Sequence, residues 1–327
     1  MILKEINWGM IGCGNVTEKK SGPAFNKVPH SALVAVMARD INKATDYAQR
    51  HNVPRWYDSV EALLADPEVN AIYIATPPNV HADYAIQAMR AGKAVYVEKP
   101  MALNAAECAA MNQVSAETGM PLFVAYYRRA LPNFIQIKAL VDAKVIGDIR
   151  LVHLRIHHPP QAEEVGENPQ PRWRVMPEIS GGGHFHDLAS HQLDYLEYLL
   201  GAIKSTQGMA RNQADLYPAD DIVVANFEFA SGVLGSGTWC FTLNPEQRID
   251  ETQIIGSKGK ISFAFFNDSP IRVETAEGIV EYPIPYPENV QQPFIESIVQ
   301  ELRGEGKCPS SGVSGARANA LMDQITG

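Results

Sequence analysis

Three groups of residues in this 327-residue chain stand at spacings that suit chemistry. Asp187 and His191 are four apart, so on a helix they share a face. A histidine, with an ordinary pKa of about 6.5, suits removal of a proton from an alcohol at neutral pH. A carboxylate beside it would stabilise the imidazolium or orient the substrate. Lys99, in Glu98-Lys99-Pro100, closes the apolar run Ala94 to Val97. A lysine at such a strand end is partly desolvated and can donate a hydrogen bond to, or exchange a proton with, a substrate oxygen. Gly12-Cys13-Gly14-Asn15-Val16-Thr17 follows the apolar run Trp8 to Ile11. Glycines at its first and third places permit a tight turn and close approach of backbone N–H groups to a pyrophosphate.

Each group also has a plain structural reading. Lys99 could pair with Glu98, Asp187 could complement the dipole of a helix N-terminus, and His191 could be a hydrogen-bonded interior residue. Glycine pairs after strands also serve ordinary turns, and Thr17 stands where a third glycine or alanine is usual. The end of the second strand bears on the choice of nicotinamide. If Ala38 holds the usual acidic position, no carboxylate repels a 2′-phosphate and Arg39 can clamp it, which favours NADP. With a one-residue shift, Asp40 would serve the ribose and favour NAD.

The elements that must position these groups divide in two. Up to about residue 126, short apolar runs alternate with helical patterns: Asn7 to Ile11, Ala32 to Met37, Ala71 to Ala75, Ala94 to Val97 and Leu122 to Ala125. Strands apolar on both faces and separated by helices predict a doubly wound parallel sheet, an α/β Rossmann domain over residues 1–126. Residues 127–327 read as an α+β domain with a largely antiparallel open sheet. In it, Val152, Leu154 and Ile156 alternate on one face, as do Val223, Ala225, Phe227 and Phe229. Gly256-Ser257-Lys258-Gly259 reads as a hairpin turn. Helices are expected over 188–200 and 294–303, and residues 157–179 form the longest loop.

Composition narrows the function classes. Apolar residues make up 46% and charged residues 20%, an ordinary globular balance. Twenty-eight basic against 37 acidic residues give a net charge of -9, which argues against nucleic-acid binding. No apolar run approaches a membrane span, and Met1 to Ile11 carries no export signal, so a cytoplasmic location is expected. The cysteines Cys13, Cys108, Cys240 and Cys308 are scattered and form no zinc or disulfide framework.

The spaced set Thr76-Pro77-Pro78-Asn79, His81, Ala91-Gly92-Lys93 and Glu98-Lys99-Pro100 resembles the glucose–fructose oxidoreductase and inositol dehydrogenase (Gfo/Idh/MocA) family. The similarity continues through Arg128-Arg129, Trp173-Arg174, Gly181-Gly182-Gly183, Asp187, His191 and Asp194. The resemblance implies that Lys99, Asp187 and His191 are catalytic. It implies that Gly12, Gly14, Asn15, Val16, Arg39, Thr76, Pro77, Asn79, His81, Glu98 and Lys99 hold a nicotinamide cofactor. Lys99, Tyr127, Arg128, Trp173, Arg174, Asp187 and His191 would meet the substrate. Tyr127, Ala130 and His186 depart from common patterns, which leaves the substrate open.

Within the family, Val36 to Asp40 looks most like the NADP-dependent dihydrodiol and pyranose dehydrogenases. The implied reaction moves hydride between NADP(H), or NAD, and a secondary alcohol or ketone of a sugar, cyclitol or dihydrodiol. The substrate hydroxyl would lose its proton to His191 while Lys99 stabilises the alkoxide. A NAD-dependent glycosidase and a non-catalytic NADP-binding sensor on the same scaffold are alternatives. His184, His186 and His191 could supply three nitrogens to zinc, but the resemblance implies no metal. His157 and His158 could reach substrate from the loop, though a solvated turn is expected. The resemblance also implies a homodimer or homotetramer, with Ile222, Val224, Val233 and Gly235 on the covered sheet face.

Overall fold

The computed structural model describes residues 2–165 and 172–327. Residues 166–171 of the expected long loop lie outside the described residues. By contacts the chain forms two units, one of residues 1–131 and 287–317 and the other of 132–286 and 318–327.

In the first unit, strands β1 (Ile6–Ile11), β2 (Ser31–Met37), β3 (Arg55–Tyr57), β4 (Ala71–Ile74), β5 (Ala94–Val97) and β6 (Leu122–Val124) make one sheet in the order β3-β2-β1-β4-β5-β6. Every pairing in it is parallel. The order reverses between β1 and β4, and in such sheets ligands bind off the carboxyl ends of strands at that point. Helices α1 (Asn15–Lys19), α2 (Gly22–Phe25), α3 (Ile41–His51), α4 (Val60–Ala65), α5 (His81–Arg90) and α6 (Ala105–Thr118) make the crossovers. β4 and β5 are buried at all four positions, the mark of strands covered on both faces. Asp40 caps α3, accepting from Asn42 N at 3.0 Å, and Asn104 caps α6 through Glu107 N. β3 is the one strand of this sheet that the apolar runs do not announce.

The second unit opens with α7 (Pro132–Asp142) and β7 (Ile149–His157), then α8 (Pro177–Ser180) and the 18-residue α9 (Gly183–Leu200). Strands β8 (Ile203–Arg211), β9 (Ile222–Phe229), β10 (Leu234–Cys240), β11 (Ile249–Gly256), β12 (Gly259–Phe263), β13 (Ile271–Thr275) and β14 (Gly278–Tyr282) follow. The eight-stranded order is β14-β13-β12-β11-β7-β10-β9-β8, antiparallel except for β7 beside β10. β11 and β12 form the hairpin expected around Ser257-Lys258. Trp239 Nε1 donates to Gln192 Oε1 at 2.7 Å, fixing α9 to the buried side of β10.

The chain then returns to the first unit with α10 (Gln292–Leu302), and the division falls within α11 (Gly312–Thr326). An undivided second domain over 127–327 is thus not what the contacts give. Leu3 N bonds Leu302 O at 2.8 Å, and Phe294 packs on Tyr96 at 5.7 Å between ring centroids. The apolar face of α10 is buried against the parallel sheet, so it belongs to that core. Among the described residues, no helix is long and apolar enough to cross a membrane.

Candidate active site

The expected site residues fall into two sets, one in each unit. In the first, β1 runs into the glycine turn. Gly12 sits at φ +102°, and a Cβ there would meet the Ala75 carbonyl oxygen at 2.8 Å, so only glycine fits. Gly14 is extended at φ -102° and exposed, with nothing within 4 Å of a would-be Cβ. A residue with no internal reason to be glycine, in a turn that leaves its backbone open, suits close approach by a pyrophosphate. Asn15 and Val16 begin α1 beside it. Thr17 is buried and donates from Oγ1 to Gly14 O at 2.8 Å, closing the turn where a third glycine is usual. Burial and the neighbouring Glu18 push the Cys13 thiol up to about 12, so it stays protonated and takes no part.

Arg39 and Asp40 follow β2, both exposed. Asp40's carboxylate is occupied as the cap of α3. Thr76, Pro77 and Asn79 follow β4; Thr76 and Pro77 are half-buried and Asn79 is exposed. His81, expected to touch cofactor, is fully buried instead. Its two ring nitrogens face Pro100 O at 3.0 Å and Thr76 O at 2.8 Å, so it clamps the ends of β4 and β5 together. Burial lowers its pKa, and the two carbonyls pull it partly back.

Glu98 is likewise turned inward. Its Oε1 accepts from Tyr73 Oη at 2.7 Å and from Gln291 Nε2 at 2.7 Å, and Oε2 faces the Lys99 N–H at 3.3 Å. Burial, with the charge of Glu98, pushes the Tyr73 phenol well up, so it remains a donor. Lys99 is half-buried at the end of β5. Tyr127 and Arg128 lie in a buried helical turn after β6, the guanidinium 5.2 Å above the Tyr127 ring.

In the second unit, α9 carries Asp187 and His191 one turn apart, on the shared face their spacing predicts. His191 is 3% exposed and sits edge-on to Phe266 at 6.2 Å. Asp187 is more open and lies 3.4 Å from Arg174 Nε, whose guanidinium also stacks over Trp173 at 4.5 Å. Arg174 therefore pairs with Asp187 and orients it, a link the sequence does not disclose. His184 is bound to Glu164 at 2.6 Å, with both side chains buried. Glu164 is a second residue sequence reasoning misses, because it lies in the irregular loop. His186 packs against Gly182, whose would-be Cβ would strike its ring, and burial lowers its pKa. The three histidines thus face different neighbours, and among the described residues no three His, Cys, Asp or Glu side chains gather as a metal set.

His157 and His158 are not in a solvated turn. His157 ends β7 and meets Thr238 Oγ1 at 3.0 Å, while the His158 amide bonds Cys240 O. Burial, with Arg248 and His184 nearby, brings the His158 pKa down to about 4.

The sheet order, the open glycine turn and a lysine at a neighbouring strand end define a dinucleotide-binding oxidoreductase. Residues 6–126 match the oxidoreductase family with an NAD-binding Rossmann fold, and 134–262 match the GFO/IDH/MocA C-terminal domain. The chain is 40% identical over 322 residues to Oxidoreductase P35 of Formosa agariphila, covering 98% of each. It is 30% identical over 261 residues to the trans-1,2-dihydrobenzene-1,2-diol dehydrogenase of Mus musculus, covering 78% of this chain and 73% of that one. A levoglucosan dehydrogenase solved with NADH and L-sorbose superposes with a TM-score of 0.88 at 21% identity, over 98% and 96% of the two chains. The chain belongs to the Gfo/Idh/MocA oxidoreductase family.

Proposed function

We propose that the enzyme transfers hydride between NADP(H) and a secondary alcohol or ketone of a sugar, cyclitol or dihydrodiol. The observation that carries the cofactor choice is Asp40. Its side chain caps α3 and Arg39 beside it is exposed, so a 2′-phosphate meets a guanidinium and no competing ribose carboxylate. The glycine turn fits the pyrophosphate, with Gly12 for the bend and Gly14, Asn15 and Val16 for the N–H groups. When bound, the nicotinamide accepts or returns the hydride at C4. His191 takes the hydroxyl proton, Asp187 orients it or the neighbouring hydroxyl, and Lys99 stabilises the developing alkoxide. Thr76, Pro77 and Asn79 shape the nicotinamide side. Tyr127, Arg128 and Trp173 bound the substrate, and Arg174 acts through Asp187. Relatives named for a diol and for levoglucosan support a ring alcohol as substrate.

Assembly as a homodimer or homotetramer is part of the proposal. One face of the second sheet is bare and carries Met209, Val224 and Leu234, all exposed. Val224, with Ile222, stands on that face by alternation. Gly235 does not: it is on the buried side, where a Cβ would strike the Phe227 ring. Leu234→Glu should convert the assembly to a smaller species by light scattering; an unchanged mass would remove this face from the interface.

The reaction is tested by following reduced nicotinamide from NADP and NAD across aldopyranoses, cyclitols and dihydrodiols. Lys99→Met should abolish turnover while leaving cofactor binding near wild type. Undiminished turnover in that variant would sink the proposal. Sugar release without net nicotinamide reduction would instead identify the glycosidase.

A further inference from the structure

We infer that Gln291 is a positioning residue for Lys99, an assignment that rests on the reading of Lys99 as the group that stabilises the alkoxide. Gln291 is fully buried just before α10, in the segment that returns to the first unit. Its backbone N–H donates to Lys20 O at 3.2 Å, at the end of the short helix that follows the glycine turn. Its side chain bridges β5 and the residue that follows it: Oε1 accepts from Tyr96 Oη at 2.6 Å, and Nε2 donates to Glu98 Oε1 at 2.7 Å. Because Tyr96 donates and a carboxylate only accepts, the amide has one orientation that satisfies both.

The network ends at the reactive lysine. Glu98 Oε1 is held by Gln291 from one side and Tyr73 from the other, which turns Oε2 towards the Lys99 N–H at 3.3 Å. Tyr73 and Tyr96 stack at 4.8 Å, and Ser21 Oγ lies 2.9 Å from Tyr73 Oη. Asn289 adds a bond from Nδ2 to Lys19 O at 2.6 Å. One chain of hydrogen bonds thus runs from the end of α1, through the buried Gln291 and Glu98, to the backbone of Lys99. Loss of the Gln291 amide leaves Glu98 Oε1 held by Tyr73 alone and loosens the carboxylate that faces the Lys99 N–H.

The test uses Gln291→Met, which keeps length and removes the donor. Misplacement of a reacting group by about 1 Å costs about 100-fold in rate, so kcat should fall about 10- to 100-fold. Cofactor Kd should stay within about twofold, and the deuterium isotope effect on kcat should rise as the chemical step slows. A fall in folded fraction alone would lower kcat without raising the isotope effect, and that result overturns the assignment. Tyr73→Phe removes the second donor to the same Oε1 and should repeat the phenotype should Gln291→Met fail to fold. Tyr57→Phe, on the outermost strand β3 where Tyr57 bonds Asp66, is the structural control and should keep wild-type kcat. Wild-type kcat in Gln291→Met, with Lys99→Met inactive, refutes the positioning role alone. Activity in Lys99→Met refutes the reading beneath it as well.

Discussion

Alanine at Gly12 and alanine at Gly14, two residues apart, should fail in different ways. At Gly12 the backbone is left-handed at φ +102°, and a non-glycine residue there costs about 1–2 kcal/mol. The new Cβ would also lie 2.8 Å from the Ala75 carbonyl oxygen, a backbone atom at the end of β4 that cannot swing aside. Overpacking of this kind adds about 1–3 kcal/mol, so Gly12→Ala should lose about 2–5 kcal/mol. At about 2–4 °C per kcal/mol for a unit of this size, melting should drop by about 4–20 °C without ligand. Gly14 is extended and faces open space, so Gly14→Ala should stay within about 0.5 kcal/mol of wild type. In the proposed binding mode its methyl would stand where the pyrophosphate meets the backbone. Loss of one charge-assisted hydrogen bond, about 1.5–3 kcal/mol, weakens NADPH binding about 10- to 100-fold. Scanning fluorimetry and NADPH fluorescence titration read the two effects separately. Gly14→Ala binding NADPH like wild type would refute the assigned pyrophosphate position, and Gly12→Ala melting with wild type would refute the turn.

Three further outcomes are expected. Arg39→Ala should weaken NADP by about 10- to 100-fold and leave NAD within about twofold, measured as the ratio of kcat/KM values. Replacing His184 by Leu should cost about 1–3 kcal/mol in urea unfolding, because the buried Glu164 loses its imidazole partner; a loss below about 0.5 kcal/mol would show that the pair is not closed in solution. Glu18 has its pKa held down at about 2, chiefly by the hydrogen-bonded Arg50 guanidinium. A depressed carboxylate pKa stabilises above its unfolded value and is lost as pH falls through the folded one. The contribution should therefore fade between about pH 4.5 and 2. The carboxylate is a third exposed, so about 1 kcal/mol is expected; Glu18→Gln should flatten that part of the stability–pH curve.

The sequence disclosed the elements whose burial is one-sided or complete. β4 and β5 are unbroken apolar runs because helices cover both their faces, and α9 is legible from its apolar spacing down to the shared face of Asp187 and His191. β3 escapes notice because its three residues, Arg55 to Tyr57, lie at the sheet edge and are partly exposed. α11 escapes because Gly312 and Gly315 read as coil, whereas a Cβ at Gly315 would strike Val124 at 2.5 Å: the glycine admits β6. Of the proposed site, the glycine turn, Arg39, Lys99 and the α9 pair are readable from residue type and spacing. His81 and Glu98 were legible as belonging there, but not their inward roles, which depend on partners such as Pro100 and Gln291 brought close by folding. Gln291 is a polar residue in a Pro-rich stretch with no pattern of its own; only tertiary contacts give it partners.

Hydride transfer from a carbinol carbon to nicotinamide C4 is the step on which the proposed function stands. The most direct measurement supplies NADP and the polyol that turns over, deuterated at that carbon, and locates the label by NMR. Deuterium at C4 of NADPH, absent with Lys99→Met, is the predicted result. Deuterium retained in the sugar product, or labelled NADPH formed equally by Lys99→Met, would contradict the account.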